Sequence, residues 1–188
     1  MRSADATTST VSWRTATAGW GLPAAATLAV LAVASTGIEP RALPALYLAV
    51  VSPALAAIDV REHRLPNRLV LPGFAVGLVG AAGQWAVSGV FPLVALIAGA
   101  GYGAALLLLA VLGGMGMGDV KLAGVLGLSA GLVSVDAAVV APVTAFLIGG
   151  VGAVAALRGG RRAGIPFGPY LLAGYWIALV ISRGASST

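Results

Sequence analysis

The stretch FPLVALIAGAGYGAALLLLAVL, residues 91–112, carries no charged side chain and is followed at once by GGMGMGDVK, residues 113–121. An α-helix needs about 20 consecutive apolar residues to cross the hydrocarbon core of a bilayer, and the first run has that length. Its continuously apolar character favours a helix over a strand of a membrane β-barrel, in which apolar and polar residues alternate. The sequence therefore predicts a membrane helix that ends at a glycine-rich turn carrying one acid.

The rest of the chain has the same character. Of its 188 residues, 59% are hydrophobic and only 9% are charged, and the mean hydropathy is +0.99. A soluble domain of this size could not bury so much apolar surface. We therefore expect an all-α polytopic membrane protein with about six or seven transmembrane helices. The predicted spans are roughly 20–37, 42–58, 69–88, 91–112, 120–135, 137–157 and 166–182.

The connections between these spans are short, so residues 20–183 are expected to form a single transmembrane domain. Residues 1–19 are rich in Ser, Thr and Ala and are expected to be a disordered cytoplasmic tail. Ala32-Val33-Ala34 resembles the small-residue cleavage site of a secretory signal, although the preceding tail is long and weakly basic. Removal of the first span thus stays open as an alternative, and it would not change the orientation of the others.

Pairs of glycines four residues apart recur in the third, fourth and fifth spans. Such pairs let helix backbones approach closely in lipid, so these positions are expected at contacts between helices. The pairs are Gly73 with Gly77, Gly99 with Gly103, and Gly127 with Gly131.

The basic residues predict how the chain is oriented. With the N-terminus in the cytoplasm, nine of the 11 Lys and Arg residues fall inside and two fall outside. This bias is typical of cytoplasmic loops, so the net charge of +5 reflects topology and contact with membrane lipids rather than nucleic-acid binding. The inside set is Arg2, Arg14, Arg61, Arg64, Arg68, Lys121, Arg158, Arg161 and Arg162, and the outside set is Arg41 and Arg183.

The chain has no cysteine and a single histidine, His63. The lack of cysteine excludes disulfides, a thiol nucleophile, zinc–thiolate sites and iron–sulfur clusters. One histidine leaves little scope for a protein-bound transition metal. We therefore expect no metal and no other cofactor.

Two acids, Asp59 and Asp119, lie at the ends of apolar spans in a chain with only six Asp and Glu residues. Desolvating a charge is costly, so ionisable groups at membrane depth are candidates for function. Asp59 ends the second span and Asp119 precedes the fifth. Since two spans separate them, both acids are predicted on the same side of the membrane, which the orientation makes the cytoplasmic side. Counting spans does not say whether the two helices are neighbours.

Two carboxylates that share one proton can hydrolyse an amide bond, one as base and one as acid. Helix polarity favours a negative charge at a helix N-terminus and disfavours one at a C-terminus. The hypothesis from sequence is that Asp119, aided by Lys121, is the ionised base and that Asp59 is the protonated acid. The glycines before Asp119 permit positive φ and let a substrate backbone approach. Those glycines are Gly113, Gly114, Gly116 and Gly118.

Three motifs together resemble one known family, the type IV prepilin peptidases and their archaeal preflagellin relatives. The run GMGDVKL, residues 116–122, contains the GxGD motif of intramembrane aspartyl proteases. The runs IDVREHRLPN, residues 58–67, and IPFGPYL, residues 165–171, resemble the two other motifs of the family. The resemblance covers residues from about 45 to 182. Signal-peptide peptidases and presenilins share GxGD, but they carry Pro-Ala-Leu where this chain has Pro166-Phe167-Gly168-Pro169.

The resemblance implies a GxGD aspartyl protease fold in which Asp59 and Asp119 are the catalytic pair. It implies an endopeptidase of the bacterial inner membrane that removes the short basic leader of pilin-like precursors at the cytoplasmic face. The supporting loop would comprise Gly116, Gly118 and Lys121. Substrate-binding or structural positions would be Pro66, Asn67, Pro166, Phe167, Gly168 and Pro169.

Many bacterial members of that family also carry a cytoplasmic N-methyltransferase domain with paired CxxC motifs. This sequence has neither, so it resembles the short, peptidase-only members that process Flp/Tad-type or other pilin-like subunits. Two other functions remain as alternatives. One is a small proton- or cation-coupled transporter that uses the two aspartates, and the other is a non-catalytic assembly subunit. The sequence names neither the precursor nor the oligomeric state.

Overall fold

The computed structural model describes residues 19–113, 115–158 and 166–185. These residues form seven helices and no strand, which confirms the predicted all-α architecture. The helices are α1 Gly21–Thr36, α2 Ala42–Glu62, α3 Asn67–Ser88, α4 Leu93–Val111, α5 Met117–Val133, α6 Val135–Arg158 and α7 Gly168–Ala185. Residues 1–18 of the predicted tail lie outside the described residues.

Four helices, α2, α3, α4 and α6, are long and apolar enough to cross a membrane. The chain is therefore a polytopic membrane protein. The helix α1 is apolar but shorter, with 16 residues. The direction of insertion, with the N-terminus in the cytoplasm, stays a prediction.

The helices coincide with the seven predicted spans, but two ends differ where charged residues begin. The helix α2 continues past residue 58 to Glu62, and α5 begins at Met117 rather than at 120. Both acids therefore lie inside helical turns. Hydropathy falls at the first charged residue, whereas backbone hydrogen bonding continues until the chain turns. In α2 this happens at His63, whose φ is 51° and whose N–H donates to the carbonyl of Asp59 at 2.8 Å.

The helix α5 lies at the centre of the bundle. All residues from 122 to 130 are buried, and the helix packs against α3, α4, α6 and α7. Protein rather than lipid surrounds it, so its 17 residues need not match the bilayer thickness by themselves. Its N-terminal turn, which carries Asp119, is held in place by the neighbouring helices.

The three predicted glycine pairs all lie at contacts with α5, as expected. On α3, a Cβ added to Gly77 would stand 2.5 Å from Leu128 Cδ2. On α5, a Cβ added to Gly131 would stand 2.5 Å from Ala95 Cα of α4. No real Cβ tolerates such a distance to backbone, so the approach of α4 to α5 depends on glycine at this position.

We expect Gly131→Ala to lower the free energy of unfolding by about 1–3 kcal/mol, because the added methyl group overpacks the contact between α4 and α5. The measurement is thermal unfolding of the detergent-solubilised protein. The matched control is Gly101→Ala on α4, since nothing lies within 4 Å of the Cβ position there. Its stability should be unchanged or slightly higher. Equal melting temperatures for wild type and Gly131→Ala would contradict the close approach.

Candidate active site

One end of the bundle brings together the C-terminus of α2 and the N-termini of α3, α5 and α7. Lys121 of α5 donates from Nζ to Oδ1 of Asn67, the first residue of α3, at 3.0 Å. Gly168, the first residue of α7, donates its backbone N–H to Asp59 Oδ2 at 2.9 Å. These contacts place Asp59 and Asp119 at the same end of the bundle, as span counting predicted.

Asp59 is held by the N-terminus of α7. Its side chain is buried, and the residue is only 4% exposed. The hydrogen bond from the Gly168 N–H is charge-assisted when Asp59 is ionised, and the helix N-terminus adds a positive partial charge. A Cβ at residue 168 would stand 2.8 Å from Asp59 Oδ2. A larger residue at position 168 would therefore force the Asp59 carboxyl group to shift away from this contact, which favours the ionised form of Asp59.

The carboxyl group of Asp119 has fewer stabilising contacts than that of Asp59. It is the third residue of α5, and its Oδ2 lies 3.4 Å from where a Cβ of Gly116 would stand. Its Oδ1 is buried and has no hydrogen-bond partner among the residues that the structure describes. The negative charge of Asp59 acts on Asp119, so the two carboxylates are within electrostatic reach. An unpartnered oxygen beside another negative charge favours the protonated form.

These contacts favour the reverse of the roles proposed from helix polarity. Lys121, which was expected to keep Asp119 ionised, donates to Asn67 instead. Asp59 does lie at the C-terminus of α2, but its side chain accepts a hydrogen bond from the N-terminus of α7. Helix polarity within α2 does not set the environment of Asp59, because the N-terminus of the neighbouring helix α7 contacts its carboxyl group.

The glycines before Asp119 only partly match their predicted purpose. Gly113 has a φ of 84°, a conformation that favours glycine. Gly116 has a φ of −80°, and Gly118 lies in the first turn of α5, so neither uses positive φ. Gly118 is instead needed for packing, because a Cβ there would stand 3.0 Å from the Cβ of Leu65. Gly114 lies outside the described residues.

Leu65 connects the surroundings of the two acids. It lies between α2 and α3 and is 8% exposed. Its Cβ approaches Gly118 beside Asp119, and its Cδ2 lies 3.3 Å from the Cβ position of Gly168 beside Asp59. No role for Leu65 was predicted from the sequence. The feature of the sequence that could have indicated its role is that Leu65 is the one large apolar residue in the otherwise polar segment REHRLPN, residues 61–67.

The Pro66-Asn67 pair starts α3. Pro66 has an extended ψ of 127°, and its carbonyl accepts the N–H of Leu69 at 3.0 Å. Asn67 ties this start to α5 through Lys121. Both residues thus act structurally here, by fixing two helix starts relative to each other.

The segment from Pro166 to Pro169 starts α7 and fixes it on α6. The ring centroid of Phe167 lies 5.5 Å from the ring centroid of Phe146 and 6.0 Å from that of Tyr170. Pro166 precedes this anchor, and Pro169 occupies the first helical turn, where a missing N–H costs nothing. The packing of Phe167 on α6 positions the Gly168 N–H beside Asp59. This contact was not predicted from the sequence.

The charged residues after Asp59 face solvent. Arg64 Nε pairs with Glu62 Oε2 at 2.7 Å, and His63 is exposed. Within the described ranges, no three His, Cys, Asp or Glu side chains form a group that could hold a metal ion.

Helices packed around a buried α5, with two carboxylates at one end, define a polytopic membrane protein with a carboxylate site. The model of the type IV leader peptidase family matches residues 46–157, a range that includes both aspartates. The chain belongs to this family of membrane peptidases, which confirms the resemblance seen in its motifs. No curated protein and no solved structure matches the chain.

We expect Gly168→Ala to slow leader cleavage by about tenfold or more, because the new methyl group pushes Asp59 off the α7 N-terminus and a charge-assisted hydrogen bond is lost. The measurement is the initial rate on a cognate precursor, normalised to folded protein. Gly150→Ala on α6 is the control, since its Cβ position is open. A normal rate in Gly168→Ala would show that Asp59 does not need this contact.

Proposed function

We propose that the chain is an aspartyl endopeptidase in which Asp59 and Asp119 are the catalytic pair. Residues 20–183 would form its single peptidase domain. The observation that carries the proposal is the convergence of two buried or partly buried carboxylates at one end of a bundle that belongs to a peptidase family. Their unequal surroundings suit the unequal roles that such a pair requires.

The proposed reaction begins with Asp59 ionised and Asp119 protonated. Asp59 takes a proton from water, and the water oxygen attacks the carbonyl carbon of the scissile bond. Asp119 gives its proton to the carbonyl oxygen, which produces a neutral tetrahedral intermediate. Asp59 then passes its proton to the amide nitrogen as the C–N bond breaks, and Asp119 regains a proton as the carbonyl re-forms. The pair ends with the same single shared proton.

The location of the pair supports a substrate with a polar leader and an apolar helix. Both acids lie where α2 ends and α5 begins, at the boundary between apolar helix and charged connection. A bond at the corresponding boundary of a membrane-anchored precursor would meet them at the same depth. The distribution of basic residues supports a cytoplasmic location for this end. The proposed substrates are therefore pilin-like precursors, including the Flp/Tad type, cut at the cytoplasmic face of the inner membrane.

The transporter alternative is less favoured. Coupling-ion sites of transporters lie near the bilayer midplane, between repeats, whereas these acids lie at one end of the bundle.

Co-expression with candidate pilin precursors tests the proposal, with loss of the leader followed by mass spectrometry. We expect Asp59→Asn and Asp119→Asn each to abolish cleavage, since either change removes a proton-transfer group and general acid–base catalysis contributes about 10²–10⁴-fold in rate. The matched control is Asp136→Asn. Asp136 is an exposed acid at the start of α6, at the opposite end of the bundle, and its variant should cleave normally.

Two results would sink the proposal. The first is cleavage that persists in either Asp59→Asn or Asp119→Asn. The second is an intact leader on every cognate precursor when the wild-type protein is present and folded.

A further inference from the structure

Tyr102 is a buried polar side chain without a role in the mechanism above. It lies on α4 and is 7% exposed, and its hydroxyl has no hydrogen-bond partner among the described residues. Buried tyrosines usually find a partner for the hydroxyl. Burying a hydroxyl without a hydrogen bond costs free energy, and an apolar side chain would fill the same space without that cost. The hydroxyl is therefore a candidate for a functional role.

The packing of α4 places Tyr102 beside the N-terminal half of α5. Its neighbour Gly103 faces α5 so closely that a Cβ there would lie 3.6 Å from Gly124 Cα and 3.8 Å from the carbonyl oxygen of Val120. Val120 directly follows Asp119. The glycine contact thus brings the α4 backbone to the level of the catalytic end, and Tyr102 and Asp119 are near enough to interact electrostatically.

Asp119 offers the complementary group. Its Oδ1 is buried and unpartnered within the described part of the chain. A carboxyl oxygen is an acceptor, whereas a phenol carries one O–H donor. Two helices therefore hold a donor and an acceptor inside the bundle, each without a partner among the described residues. The contact between them requires the first turn of α5 to shift toward α4 during the reaction.

We propose that Tyr102 is a positioning residue for the peptidase reaction, whose hydroxyl donates a hydrogen bond to Asp119 Oδ1 as Asp119 gives up its proton. The inference rests on the proposed function. Asp119 transfers the proton from its other oxygen to the substrate carbonyl, and Tyr102 keeps its own proton throughout. Because a hydrogen bond to a carboxylate is stronger than one to a neutral acid, the interaction strengthens as the reaction proceeds and therefore lowers the barrier.

The test is the kinetics and stability of Tyr102→Phe. We expect kcat to fall about tenfold or more, with KM within about twofold of wild type, because the contact forms during proton transfer and not on binding. The melting temperature should be unchanged or higher, since the hydroxyl that is removed has no partner in the resting protein. A structural tyrosine would not show this combination.

Tyr47→Phe is the matched control. Tyr47 on α2 is also a tyrosine inside the bundle, but its hydroxyl donates to the carbonyl of Leu69 at 2.7 Å. Its loss should lower the melting temperature and leave kcat per folded molecule unchanged. Replacement of Tyr102 by 3-fluorotyrosine keeps the fold and the donor, makes the donor stronger, and should give a kcat at or above that of wild type.

A kcat of Tyr102→Phe equal to that of wild type overturns the proposal, and so does a loss of stability like that of Tyr47→Phe with normal kcat. If Tyr102→Phe does not fold, a reduced kcat in the 3-fluorotyrosine protein overturns it and a kcat at or above wild type supports it. Asp59→Asn and Asp119→Asn in the same assay separate the two claims. If both aspartate variants are inactive and Tyr102→Phe is fully active, only the role of Tyr102 is contradicted. If the aspartate variants are active, the catalytic pair is contradicted, and the role of Tyr102 is contradicted with it.

Discussion

The hydrogen bond from the Gly168 N–H to Asp59 Oδ2, 2.9 Å long, is the interaction on which the site depends most. It joins the last helix to the second across the buried end of the bundle. It also gives Asp59 a hydrogen bond from another helix, whereas the backbone contact of Asp119 comes only from Gly116 at the start of its own helix. Two like acids close together become chemically different only if their surroundings differ. The start of α7, fixed by Phe167 against α6, provides that difference.

The second constraint is the central position of α5. Glycines on α3, α4 and α5 let these helices approach closely, and α5 is buried along most of its length. The first turn of α5, which carries Asp119, continues from this packed segment. Among the described residues, Asp119 Oδ1 has no partner, and Tyr102, on the α4 side of the same α4–α5 contact, is the proposed donor in the reaction. The glycine-lined interface between α4 and α5 is thus expected to contribute both to the stability of the fold and to the proposed reaction.

Much of the fold followed from hydropathy and counting. Each span of membrane length contains one helix, and an even number of spans between Asp59 and Asp119 places both at one end whatever the packing. The ends of α2 and α5 were harder to predict, because charged residues at 59–62 and 117–121 interrupt the apolar run without interrupting the helix. The environment of each acid was not predictable, since Gly168 lies 109 positions from Asp59 and no local pattern connects them. The same holds for Leu65 and Tyr102, whose importance comes from neighbours on other helices.

The unequal protonation of the pair is the central claim, and infrared spectroscopy of the detergent-solubilised protein at neutral pH tests it directly. The other acids of the described chain, Glu39, Glu62 and Asp136, are exposed or ion-paired, so the band is assigned by the two aspartate variants. We expect wild type to show one protonated carboxyl C=O stretch, which disappears in Asp119→Asn. A band that persists in Asp119→Asn and disappears in Asp59→Asn would contradict the account, as would the absence of any such band in wild type.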